Sequence, residues 1–164
     1  IVALLVDGQT TAGWIHLPLE PRTCVTIRGR GALNSVGSDL EPAPARPIDQ
    51  LYGQFNIPSK TRKPALATAL GGLSSSLRKH DANRCSAYAY CGLADGSIDF
   101  LIYQNLKPWD HAAGILMVEE LGGLSAHLSS GEAYLPTDST GPLIIAGSSE
   151  TPPRIRAHLT AAAA

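Results

Sequence analysis

The residues best placed to do chemistry lie between Lys107 and Gly123, in the run KPWDHAAGILMVEELGG. One carboxylate, Asp110, stands at the entry of an apolar stretch that closes on Gly122-Gly123. Strong helix formers fill His111–Leu121, and a glycine pair suits the left-handed turn that ends a helix. An Asp at such an entry has two readings that do not exclude each other. As an N-cap, its oxygen accepts from the free N–H groups of the first turn. As a metal ligand, it offers oxygen to a hard cation such as Mg²⁺, which usually keeps several waters and is seldom held by one carboxylate alone. Trp109 is expected to pack at the strand-to-helix corner. His111 is read as an ordinary polar residue with no role. Of Glu119 and Glu120, late in the helix, one is expected to face solvent, and the two form no acid–base pair.

A second constellation is Arg84-Cys85-Ser86-Ala87, at the start of a helical segment running to Ala94. A helix N-terminus attracts anions, and an Arg beside it can grip a phosphate through two parallel hydrogen bonds. The plainer reading is a helix start with a solvated Arg and a buried thiol. Cys85 has no nearby base to activate it as a nucleophile. Gly71-Gly72-Leu73-Ser74 could form an anion-binding nest. Neither it nor Gly29-Arg30-Gly31 is followed by Gly-Lys-Ser/Thr, so neither is a P-loop, and both are read as ordinary turns.

Trp109, Asp110, Ala112, Ala113, Gly114, Gly122 and Gly123 together resemble the C-terminal signature of the inositol monophosphatase family. These are Mg-dependent phosphatases marked by a Trp-Asp-x-Ala-Ala-Gly stretch. The resemblance implies that Asp110 is a ligand to Mg²⁺. Counting back from Trp109, it sets Arg84, Cys85 and Ser86 on the family's Gly-Ser/Thr-Ala turn, which presents backbone N–H groups to the substrate. Tyr103 falls where animal members carry a Glu that binds inositol hydroxyls. Tyr cannot supply that acceptor pair, which points to a different phosphorylated small molecule. Asp99 matches a family acid expected to be structural, and Gly29–Ala32 resembles the family's Gly-x-Gly-Ala turn.

The family's Gly-Glu-Glu cluster and its Asp-Pro-x-Asp-Gly-Thr loop do not occur here. The chain is therefore read as the C-terminal part of such an enzyme, forming a single domain over residues 1–164. The implied parent hydrolyses a phosphate ester by metal-activated water, as inositol, sugar bisphosphate, nucleotide 3′-phosphate and histidinol phosphate phosphatases do. This chain alone is expected to be inactive. The rival is a non-catalytic dimerising or scaffold module in which Asp110 is only a helix N-cap.

The elements that must position these residues read as strands first, then alternating helix and strand. Ile1–Val6 and Thr11–Leu17 flank Asp7-Gly8, a hairpin dipeptide. Cys24–Arg28, Ile48–Ile57, Ile98–Tyr103, Leu124–Leu128 and Leu143–Ala146 read as strands, with Gly53 weakening the second. Pro64–Leu70, Ser74–Lys79, Cys85–Ala94, His111–Leu121 and Pro152–Ala164 read as helices. A Pro/Ala/Ser-rich connector lies between Gly37 and Pro47. The class expected is α/β, a layered α+β sandwich.

With 164 residues and a net charge of −1 the chain suits one domain and offers no basic surface for nucleic acid. No apolar run is long enough to span a membrane. Three cysteines without a paired framework fit a reducing compartment, so a cytoplasmic location is expected. The chain opens inside a strand and its one methionine is Met117, which reads as a fragment. A homodimer is the expected assembly.

Overall fold

The computed structural model describes residues 1–34, 40, 44–57, 78–79 and 85–161. At the start, β1 (Val2–Val6) and β2 (Gln9–Leu17) pair antiparallel around Asp7 and Gly8. Both turn residues are left-handed, with φ of 49° and 77°, the geometry that matches the twist of the flanking strands. Next come β3 (Arg22–Ile27) and β4 (Ala32–Asn34), and the sheet runs β1-β2-β3-β4. Along β2, Ile15 and Leu17 are buried while Trp14 and His16 are exposed, the period-two pattern of a sheet with one covered face.

What covers that face is a pair of helices, α1 (Ser86–Ala94) and α2 (Pro108–Glu120). Both are apolar nearly all round, as helices buried on several sides must be. In α2 every residue from His111 to Val118 is buried. Close approach explains two of the glycines. A Cβ on Gly13 of β2 would lie 2.9 Å from Ala113, and one on Gly114 would enter the ring of Tyr90 on α1.

A second sheet lies beyond the helices, in the order β6-β5-β7-β9-β8. It is built from β5 (Tyr52–Asn56), β6 (Arg78–Lys79), β7 (Phe100–Asn105), β8 (Leu124–His127) and β9 (Thr140–Ala146). β5 runs parallel to β6 and β7, whereas β9 runs antiparallel to β7 and β8. Side chains of β7 serve two cores. Leu101 joins the helix layer, and Phe100 and Ile102 join a smaller core with Leu51, Ile144 and Ile155 of α3 (Thr151–Ala161). The order of layers is thus sheet, helix pair, sheet, helix. This is the layered α/β sandwich that the alternation of elements predicts.

Several boundaries differ from expectation. The residues from Ile48 divide into a 3₁₀ turn, Ile48–Gln50, and β5. Gly53 strengthens that strand, because the Phe100 ring across the pair occupies the place of its missing Cβ. Arg78 and Lys79 form a strand and do not end a helix, since their backbone pairs with Tyr52 and Gly53. The helix expected over Pro64–Leu70, the nest at Gly71–Ser74 and most of the Gly37–Pro47 connector lie outside the described residues.

Two acids at the ends of elements act as clamps. Asp99, buried, accepts from the Tyr52 amide at 2.7 Å and from the Arg46 guanidinium at 3.3 Å, which matches the structural role expected of it. Glu120 accepts from the amides of Gly29 at 2.8 Å and Gly31 at 3.0 Å. The Gly-Arg-Gly turn therefore does bind an anion, and the anion is a carboxylate of the same chain. Glu119 is also held, by the Ser125 hydroxyl at 2.8 Å, so neither glutamate is simply a solvated charge.

Candidate functional site

The parallel strands β5 and β7 end at Asn56 and Asn105; α2 begins three residues after Asn105, and the start of α1 lines the crevice at these ends. Crevices at the carboxyl ends of parallel strands are the usual ligand sites of open α/β sheets. Here the crevice is a cavity of about 240 Å³ lined by Gln54, Asn56, Cys85, Ser86, Tyr103, Asn105, Asp110 and His111. Cys85, Ser86, Tyr103 and Asp110, singled out on sequence, are thus brought to one wall. Arg84 lies outside the described residues.

Asp110 owes its place to Pro108. With its fixed φ and no N–H to lose, Pro108 opens the helix three residues earlier than the apolar run suggests. Lys107 takes the N-cap position without a capping side chain, and Asp110 falls in the first turn. Its backbone N–H bonds to the Lys107 carbonyl at 2.9 Å, but its carboxylate has no hydrogen-bond partner among the described residues. Asp110 is therefore not the N-cap, and it lines the cavity. Trp109 is corrected too. Far from packing at the corner, it is 67% exposed, with the Lys107 ammonium 5.8 Å from its ring centre.

At the neighbouring helix start, Cys85 is exposed in the N-cap position and caps nothing with its side chain. Ser86 opens the helix beside it. The first intrahelical bond runs from the Ala89 amide to the Cys85 carbonyl, so the amides before Ala89 are left for whatever enters the cavity. The N-termini of α1 and α2 both deliver partial positive charge here. A half-buried carboxylate beside two positive helix ends suits a bound cation carrying an anion.

The rest of the wall is aromatic and polar. The Tyr103 ring centre lies 4.6 Å from that of His111, and Tyr90 stacks on Tyr103 at 6.4 Å. Burial, and then the charge of Asp110, push the Tyr103 hydroxyl well above its ordinary range, so it stays protonated. His111 has both nitrogens engaged. Nε2 donates to the Asn105 carbonyl at 2.9 Å, which leaves Nδ1 to accept from the Tyr90 hydroxyl at 3.0 Å. Burial lowers the His111 pKa, consistent with that neutral form. A ring so occupied is a scaffold for the site and not a ligand.

Sequence reading missed Gln54, Asn56 and Asn105. Asn56 is the telling omission, because its Nδ2 is buried in the cavity wall without a hydrogen-bond partner. Buried donors are almost always paired, so an orphan facing a cavity marks a place for a ligand's acceptor. The signal was present: Gln54 and Asn56 are polar residues two apart in one strand, hence on one face. Among the described residues no cluster of three or more His, Cys, Asp or Glu side chains could hold a metal. Asp110 fits Mg²⁺ by its chemistry, an oxygen ligand for a hard cation that one carboxylate seldom holds alone.

Fold and cavity define a layered α/β sandwich with a polar crevice at the ends of its parallel strands. The chain belongs to the inositol monophosphatase family, whose model matches residues 1–163. It is 28% identical to the Nus factor SuhB of Salmonella typhimurium over 149 residues, 89% of this chain and 54% of that protein. It is 31% identical to the inositol-1-monophosphatase ImpA of Mycolicibacterium smegmatis over 138 residues, 79% of this chain and 48% of that one. Among solved structures, the staphylococcal SaIMPase-II bound to inositol monophosphate superposes with a TM-score of 0.81 at 22% identity. That match covers 97% of this chain and 60% of the other. The chain thus spans about half the length of the curated relatives it matches.

Proposed function

We propose that this chain contributes half of the active site of a Mg²⁺-dependent phosphomonoesterase that hydrolyses a phosphorylated small molecule. The observation that carries the reading is the Asp110 carboxylate, without a protein partner among the described residues, facing a cavity shared with two helix N-termini. Mg²⁺, when bound, would lower the pKa of a water and offset charge on the phosphate. The chain's own groups bind and orient. Asp110 supplies one oxygen ligand. The free amides of α1 and the Ser86 hydroxyl hold phosphate oxygens, and an anion at a helix N-terminus needs no other support. Asn56 Nδ2 donates to an acceptor on the substrate, and the protonated Tyr103 hydroxyl borders the same group. Arg84, beside Cys85 in sequence, is proposed as a further phosphate contact.

One carboxylate does not make such a site. Among the described residues no further acid lines the cavity, and the chain spans about half the length of its curated relatives. In this reading the rest of that length completes the ligand set, and this chain alone is inactive. The test is phosphate release from a panel of inositol, sugar and nucleotide phosphates, with and without Mg²⁺. The expected result is silence from this chain and Mg²⁺-dependent turnover from a longer chain completing the family length. Asp110→Asn in that longer chain should lose at least about a hundredfold in rate, roughly 2.7 kcal/mol of barrier. Turnover indifferent to that substitution would remove Asp110 from the metal site.

One observation favours a second reading, a dimerising or scaffold module. The uncovered face of the first sheet carries Val2, Leu4, Trp14, Ile27 and Leu33, all exposed and apolar. Patches of that kind mark interaction surfaces. The two readings coexist, because that sheet face and the cavity are lined by different residues.

A further inference from the structure

Away from the cavity, two thiols meet in the core. Cys24 on β3 and Cys91 on α1 are 1% and 2% exposed, and their Sγ atoms lie 4.0 Å apart across 67 residues of sequence. Among the described residues no third ligand joins them, so the pair is not a metal site. Beside it Arg22 donates to Asp95 at 2.7 Å and to the Cys91 carbonyl at 3.4 Å. A cavity of about 150 Å³ opens there, lined by Arg22, Tyr88, Cys91, Asp95 and Ser97 among others. Of the two thiols, Cys91 is the one that lines this cavity, beside Arg22.

We propose that Cys24 and Cys91 are an oxidative modification site, closed to an intramolecular disulfide by hydrogen peroxide entering through the Arg22 cavity. Neither the family reading nor the phosphate site uses these thiols. One of the two sulfurs, as thiolate, attacks a peroxide oxygen, the O–O bond breaks, and the departing hydroxide takes a proton to become water. The other sulfur then attacks the sulfenic sulfur, the S–O bond breaks, and a second water leaves with the remaining thiol proton. Two thiols are oxidised by two electrons and one peroxide is reduced to two waters.

The geometry favours closure over further oxidation. The gap must shrink from 4.0 Å to about 2.05 Å, a movement that two side chains can share. The Cys91 thiol hydrogen bond, aided by the Arg22 charge, draws the Cys24 thiol down against the effect of burial. A peroxide is small enough to enter a cavity of about 150 Å³. Cys85, exposed and lining the other cavity, is the third thiol of the chain and must be removed from the assay.

The experiment treats the folded Cys85→Ser chain with hydrogen peroxide, then quenches by alkylation. Expected is a mass loss of about 2 Da, both remaining thiols protected from alkylation, and a Cys24–Cys91 cross-linked peptide that a thiol reductant abolishes. Closure should be at least about tenfold slower in denaturant, where the two residues are no longer held together. Additions of about 16 or 32 Da without a cross-link would overturn the proposal. So would closure that is no slower in the unfolded chain, or thiols that stay alkylatable after treatment. The wild-type chain, mapped for the same peptide, keeps the test intact if Cys85→Ser folds poorly.

Discussion

Asp110 carries its charge in the first turn of α2, where a carboxylate meets the positive end of the helix. Replacement by Asn keeps the shape and removes the charge. If helix support were its whole contribution, the loss would be about 0.3–1 kcal/mol. We expect Asp110→Asn to fall within that range by urea denaturation while abolishing the heat of Mg²⁺ binding in titration calorimetry of the longer chain. A loss of folding with unchanged metal binding would make Asp110 a structural acid. His111 yields a prediction in pH. Burial depresses its folded pKa below the ordinary 6.5, so below that value the unfolded chain binds more protons than the folded one. Stability contributed by the neutral ring is complete above about pH 6.5 and declines as pH falls towards the folded pKa. His111→Gln should flatten that decline in a denaturation series between about pH 7 and 5, with the asparagine carbonyl and Tyr90 as its remaining neighbours. An unchanged slope would place the titration elsewhere. The sequence showed the carboxylate but not its posture, because N-cap and third helical position differ only in where Pro108 starts the turn. It hid the role of His111, which depends on the Asn105 carbonyl, and it showed Asn56 only as a polar strand residue, since the cavity beside it is formed by distant elements.

At the scale of elements, the helix pair decides whether the cavity exists, for α1 and α2 each present their first turn to it. Gly114 sets how closely they approach. A Cβ there would fall on atoms of the Tyr90 ring, itself fully buried and bonded to His111. Alanine favours a helix interior by about 1 kcal/mol over glycine, whereas overpacking a tight core costs about 1–3 kcal/mol. With backbone on one side and a buried ring on the other, overpacking wins. Gly114→Ala should lower the urea midpoint with little change in slope, and Gly114→Ala with Tyr90→Phe should recover little, since the ring and not the hydroxyl is struck. Equal stability of Gly114→Ala and the wild type would show that the helices can part. Elements of this kind were largely legible in sequence, because an apolar run bounded by Pro and Gly-Gly has few alternatives. The two-residue strand Arg78–Lys79 was not, since only its parallel partner β5 makes it a strand. Nor did Gly53 advertise its use, as the Phe100 ring that needs it lies 47 residues on in the sequence.

The whole molecule is asymmetric in what it covers. The second sheet is packed on both faces, by the helix pair and by α3, whereas the first has its outer face open. The register Val2–Trp14–Val25–Leu33 and Leu4–Ala12–Ile27 places one continuous apolar surface there. An antiparallel sheet with one face on the core and one in water normally alternates apolar with polar, and here the watered face is largely apolar as well. Water is an unfavourable partner for such a face, at about 25 cal/mol for each Å² of apolar surface left uncovered. A second copy offers the same surface, and a two-fold contact of like patches is the commonest closed assembly. The chain should therefore sediment as a concentration-dependent dimer. Leu4→Glu with Ile27→Glu, two charges on that one face and remote from the cavity, should leave a monomer with unchanged far-ultraviolet circular dichroism. A chain that is monomeric at every concentration would assign the face instead to the part of the family fold that this chain does not span. Mixing the chain with that part would then bury it, and the glutamate pair should block the mixed complex as it was expected to block the dimer.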